Sequence, residues 1–101
     1  MDRRRQIIQW LKEAINENLV GFTYKAFIFG TQANKTSLKR SDIDVGIISD
    51  EDIPVYKLSR INEAIENLPM LFKVDLVNFK EVDSKFRSIA MQNVEWLWQQ
   101  A

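Results

Sequence analysis

The chain has no cysteine and no histidine among its 101 residues. Without thiols it can form neither disulfides nor thiolate metal sites. Without imidazole it can build no serine–histidine triad, no histidine general base and no zinc site based on histidine. Any metal must be held by oxygen, which selects hard ions such as magnesium or manganese. Charge of neither sign is in excess, because 14 basic side chains balance 14 acidic ones. That balance argues against general nucleic-acid binding, although a local basic patch stays open. Also missing is any apolar run near the roughly 20 residues that span a bilayer. The opening Met1-Asp2-Arg3-Arg4-Arg5 is charged and lacks the apolar core of a signal peptide, so the expected location is cytoplasmic, with no membrane partner.

What is present fits one small domain over residues 1–101, with 46% hydrophobic and 28% charged residues. Asp2 is placed to cap a first helix. Its apolar face is Ile7, Ile8, Leu11, Ala14, Ile15 and Leu19, and Gly21 is its stop. Tyr24 to Phe29 is aromatic and apolar and reads as a buried strand ended by Gly30. Residues 31–41 are polar and read as a helical turn and a loop. Asp42 to Ile48 is a second strand. Ser49-Asp50-Glu51-Asp52 is an acidic surface connection leading to Pro54. Leu58, Ile61, Ala64, Ile65 and Leu68 mark a second helix that stops at Pro69. Phe72 to Phe79 is a third strand. Asp83 caps a last helix whose inner face is Phe86, Ile89, Ala90 and Val94. This order predicts an α/β (α+β) domain with a small sheet covered by helices. Trp10 belongs at the edge of the first helix's apolar face, and Trp96 and Trp98 are expected to pack on the sheet or against a partner. Arg3-Arg4-Arg5 reads as a solvated terminus.

The chemistry is concentrated in three aspartates. Asp42 and Asp44 stand at i and i+2 on a strand, so both carboxylates project from one face while Ile43 and Val45 face the core. Two like charges this close repel unless a cation or proton neutralises them, and a divalent metal is the usual resolution. Taken alone, the pair reads more often as a solvated strand start than as a metal site. Gly30 lets the backbone turn tightly and approach a ligand, and Thr31 offers a hydroxyl and an N–H to phosphate oxygens. Asp75 lies in the apolar run Phe72-Lys73-Val74-Asp75-Leu76-Val77, where a buried carboxylate needs a metal or an ion pair, Lys73 being the nearest candidate.

Gly30-Thr31, ten residues, then Asp42-Ile43-Asp44 resembles the signature of the DNA polymerase β-like nucleotidyltransferase superfamily. The segments Phe29-Gly30-Thr31-Gln32-Ala33 and Ser41-Asp42-Ile43-Asp44-Val45-Gly46-Ile47 are similar to its smallest members, the minimal nucleotidyltransferases (MNT) paired with HEPN-domain proteins. The resemblance runs from Phe27 to about Val94 and includes Phe86-Arg87-Ser88-Ile89. It implies a polymerase β palm-like fold with a mixed sheet. It implies Asp42, Asp44 and Asp75 as catalytic residues and as ligands to two Mg2+ ions. It implies Gly30, Thr31 and Ser41 as contacts to ATP or another nucleoside triphosphate. The activity implied is transfer of AMP to a hydroxyl on a HEPN-type partner, such as a tyrosine, which makes the chain an antitoxin. The alternative is a module that neutralises the HEPN partner by contact without catalysis. The chain departs from the family at Gln32, where members commonly carry arginine, and at Asn34 and Lys35. Lys35, Lys39 and Arg40 either restore positive charge to that loop or form a solvated surface. A domain this short lacks the second module of larger relatives, so a homo- or hetero-oligomer is expected.

Overall fold

A computed structural model describes residues 3–30, 33, 42–70 and 72–99. The elements are α1 (Arg3–Asn18), β1 (Tyr24–Phe29), β2 (Ile43–Ser49), α2 (Val55–Glu66), β3 (Val74–Asn78), α3 (Ser84–Ala90) and β4 (Val94–Gln99). The four strands form one mixed sheet in the order β3-β2-β1-β4. β1 runs antiparallel to both β2 and β4, and β2 runs parallel to β3 through the α2 crossover.

Alternation along the strands separates the two sheet faces. Tyr24, Ala26 and Ile28 of β1 and Ile43, Val45 and Ile47 of β2 face the helices. There they meet Ile7, Leu11, Ala14 and Ile15 of α1 and Ile61 and Ile65 of α2 in the larger core. The helical spacing in the sequence is therefore the spacing of buried positions. Trp10 packs at the edge of this core as expected. The opposite face carries Phe27, Phe29 and Phe79, packed edge-on with ring centroids 4.9 and 5.1 Å apart for Phe27–Phe79 and Phe29–Phe79. Among the described residues, only the short α3 overlies this face. Its start is fixed by Asp83, whose carboxylate accepts from the Phe86 N–H at 2.7 Å, the cap expected from the sequence.

Two expectations are corrected. Val94 is not on the last helix: α3 ends at Ala90, and residues 94–99 form a fourth strand, antiparallel to β1. A register shift in the β1–β4 pairing between Ala26 and Phe27 puts Trp96 and Trp98 on opposite faces. Trp96 packs edge-on against Phe27 at 5.4 Å, and Trp98 stacks with Tyr24 at 6.2 Å. Second, the arginine run is not wholly solvated. Arg4 is buried and forms an ion pair with Glu95 that ties α1 to β4. Asp2, the expected cap of α1, lies outside the described residues.

Candidate functional site

The sheet register aligns the chemistry. Phe29 is opposite Asp44, and Asp44 is opposite Asp75, so Phe29, Asp44 and Asp75 form one row across β1, β2 and β3. Side chains of a row share a face, here the aromatic face rather than the one under α1 and α2. Asp42 lies two residues before Asp44, just ahead of β2, and is exposed. β1 ends and β2 and β3 begin at this edge of the sheet, so Gly30 and all three aspartates meet there.

Gly30 shapes the edge. Its φ is +76°, in the left-handed region that favours glycine. A β-carbon there would stand 2.8 Å from Asp44 Oδ2, so the missing side chain is the space the carboxylate uses. The Ala33 N–H donates to the Gly30 carbonyl at 3.3 Å. Thr31, Gln32, Asn34, Lys35, Lys39, Arg40 and Ser41, also singled out in the sequence, lie outside the described residues.

Asp44 is half-buried, and its pKa is raised, first by burial and then by the charges of Asp75 and Asp42. The charges of Asp75 and Asp42 thus reach Asp44. Among the described residues, however, no three acidic side chains converge closely enough to hold a metal ion. Asp75 is not the deeply buried carboxylate its apolar run implied. β3 is an edge strand, the side chain is 45% exposed, and Lys73 Nζ lies 4.0 Å away in a loose ion pair. The other acidic cluster stays at the surface. Glu51 accepts from the Thr23 N–H at 3.1 Å, and Asp52 pairs with Lys80 at 3.1 Å.

Sequence reasoning assigned no part to Gly46. A β-carbon there would meet Phe27 Cζ at 2.5 Å and Phe79 Cε1 at 2.7 Å, so the glycine lets two rings close over β2 two rows behind Asp44, on the same face. A glycine inside an apolar strand was the available signal. Beside the aspartate edge, a cavity of about 260 Å3 opens between Gly30, Phe29 and the α3 residues Phe86 and Ile89. It is mostly apolar, and Phe86 and Ile89 are exposed.

A family model described as Polymerase beta, Nucleotidyltransferase matches residues 9–101. Over 66 residues the chain is 30% identical to a probable protein adenylyltransferase MntA of Haemophilus influenzae, a match covering 65% of this chain and 58% of that protein. The chain thus spans little more than half the length of that curated relative. Among solved structures, a tri-AMPylated Shewanella oneidensis HEPN toxin in complex with MNT antitoxin is similar with a TM-score of 0.72 and 12% identity, over 96% of this chain and 73% of that one. A toxin–antitoxin crystal structure with AMP-PNP is similar with a TM-score of 0.73 and 15% identity, over 92% and 73%. At these identities the likeness shows the fold, and it is the polymerase β-like fold expected from the sequence.

Proposed function

The chain belongs to the polymerase beta nucleotidyltransferase family, and from that premise we propose that it transfers AMP from ATP to a hydroxyl of a HEPN-domain partner, acting as that partner's antitoxin in the cytoplasm. The observation that carries this reading is the Asp44–Asp75 row meeting Asp42 and Gly30 at one sheet edge. The relatives described as a protein adenylyltransferase and as an antitoxin with an AMPylated toxin support the choice of reaction and partner.

The donor set fits magnesium. All the candidate ligands are hard carboxylate oxygens; burial first, and then the charges of Asp75 and Asp42, raise Asp44's proton affinity, and a divalent cation would relieve that charge crowding. Asp42, Asp44 and Asp75 would hold the metal. Bound magnesium would supply charge neutralisation to the triphosphate and to the entering and leaving oxygens. Asp75, at the edge-strand end of the row, orients the acceptor hydroxyl and takes its proton. Gly30, followed by Thr31 and Ser41, brings backbone and hydroxyl donors to the phosphates. The apolar cavity between Gly30 and α3 suits a planar ring, such as that of an acceptor tyrosine. The protein's share of catalysis is positioning and preorganised charge.

The test combines the protein, magnesium, α-labelled ATP and a HEPN partner. Label should pass to the partner with wild type and not with Asp42→Ala. If wild type transfers none, or both transfer equally, the proposal fails. If Asp44→Asn neutralises the partner as fully as wild type, antitoxin action rests on contact rather than transfer.

A further inference from the structure

A second concavity lies at the far end of the aromatic face. It has a volume of about 500 Å3 and runs between the start of β1, the end of β2, α3 and Trp96 of β4. Lys25 and Phe29 are four residues apart on β1, so the groove is about 13 Å from the aspartate edge along the strand. It is a separate place rather than an extension of the site above.

Its lining combines three kinds of group. Lys25 and Arg87 are cations that make no ion pair among the described residues. Trp96 is 39% exposed, a large indole left open on a strand, with Lys25 Nζ 6.0 Å from its ring. Asp50 lines the groove as well. Its carbonyl accepts from Lys80 Nζ at 3.2 Å, while its carboxylate makes no ion pair among the described residues. Ile48 and Met91 add apolar surface. A bare anion would use the cations and leave the indole idle. An acidic peptide would be repelled by Asp50. One ligand class uses all three features: a flat heterocycle with amino donors, joined to a phosphate.

We propose that this groove is a second binding site, for a nucleotide unit. The base stacks on Trp96, an exocyclic amine donates to the Asp50 carboxylate, and the phosphate lies between Lys25 and Arg87. The unit is either a free mononucleotide or one residue of a single RNA strand. Neutral overall charge does not oppose this, because the site needs only two local cations.

AMP titrated calorimetrically into the full chain in EDTA tests the proposal. Wild type should bind, and Lys25→Gln/Arg87→Gln should bind about tenfold more weakly. Arg60→Gln, an exposed cation on α2 outside the groove, should match wild type within about twofold. Because Trp96 also packs on Phe27, its role is read without mutation: its indole resonance should shift with AMP while those of Trp10 and Trp98 stay. AMP binding tighter than a short oligoadenylate assigns the site to the free nucleotide, and the reverse assigns it to RNA. Three outcomes overturn the proposal: no AMP binding at millimolar concentration, equal affinity in the double variant, or inorganic phosphate binding as tightly as AMP.

Discussion

Gly30 and Asp44 compete for one volume, since a β-carbon at residue 30 would stand 2.8 Å from Asp44 Oδ2. Gly30→Ala therefore meets two penalties. The left-handed backbone at φ +76° costs about 1–2 kcal/mol with a side chain present, and the clash pushes the carboxylate off its position. The melting temperature should fall by roughly 5–10 °C in a calorimetric scan. Adenylate transfer should fall about 100-fold, the cost of misplacing a reacting group by about 1 Å. An alanine variant with full turnover would remove Gly30 from the site.

Asp44 also sets a pH dependence of stability. Burial, then Asp75 and Asp42, raise its folded pKa above the ordinary 3.8. The folded chain therefore keeps a proton that the unfolded chain has already released. The stabilising contribution is fully present below pH 3.8 and is lost as pH rises through the folded value. Without divalent cations, Asp44→Asn should melt above wild type at pH 7, and the gap should narrow as the pH falls toward 3.8. Thermal melts across a pH series in EDTA check this, and a lower-melting Asp44→Asn at pH 7 would refute it. The same variant should lose adenylate transfer, a stability gain made at the expense of function.

Gly46 lies under two rings, with a substituted β-carbon 2.5 Å from Phe27 Cζ and 2.7 Å from Phe79 Cε1. Both rings are fully buried and have little room to retreat. Gly46→Ala should cost about 1–3 kcal/mol by overpacking. Urea unfolding should show a lower midpoint with an unchanged slope.

Arg4 and Glu95 join the first helix to the last strand. Glu95→Ala leaves a buried guanidinium without this partner and should cost about 2–3 kcal/mol, somewhat under the range for fully buried pairs because Glu95 is partly exposed. A double-mutant cycle with Arg4→Met should recover part of that loss. Additive losses would deny the coupling.

Much of this architecture was legible in local pattern. Tyr24 to Phe29 is bounded by a turn and a glycine, and its strand ends where those residues place it. Asp83 declared its cap by residue type and position. What escaped depends on partners distant in sequence. Val94 continues the helical spacing of Phe86, Ile89 and Ala90, and no glycine or proline in Met91-Gln92-Asn93 marks the break. Only pairing with β1 makes residues 94–99 a strand, and it exposes Trp96 on a sheet face. Arg4 reads as one of three like charges until Glu95 comes beside it. Asp75 has an apolar surround in sequence, but among the described residues no further strand lies outside β3 to bury it. The alignment of Asp44 with Asp75 is likewise a fact of register, set by the crossover from β2 to β3.

The strand order has a consequence for how the chain is made. β1 is an inner strand, yet one of its two neighbours is the last strand in sequence. On the ribosome, residues 24–29 emerge long before residues 94–99 can cover their outer edge. In that interval an aromatic, apolar strand presents unpaired N–H and carbonyl groups to other nascent chains. Chaperone dependence during synthesis should therefore track the delay before β4 arrives, and slowing translation just ahead of residue 94 should increase aggregation.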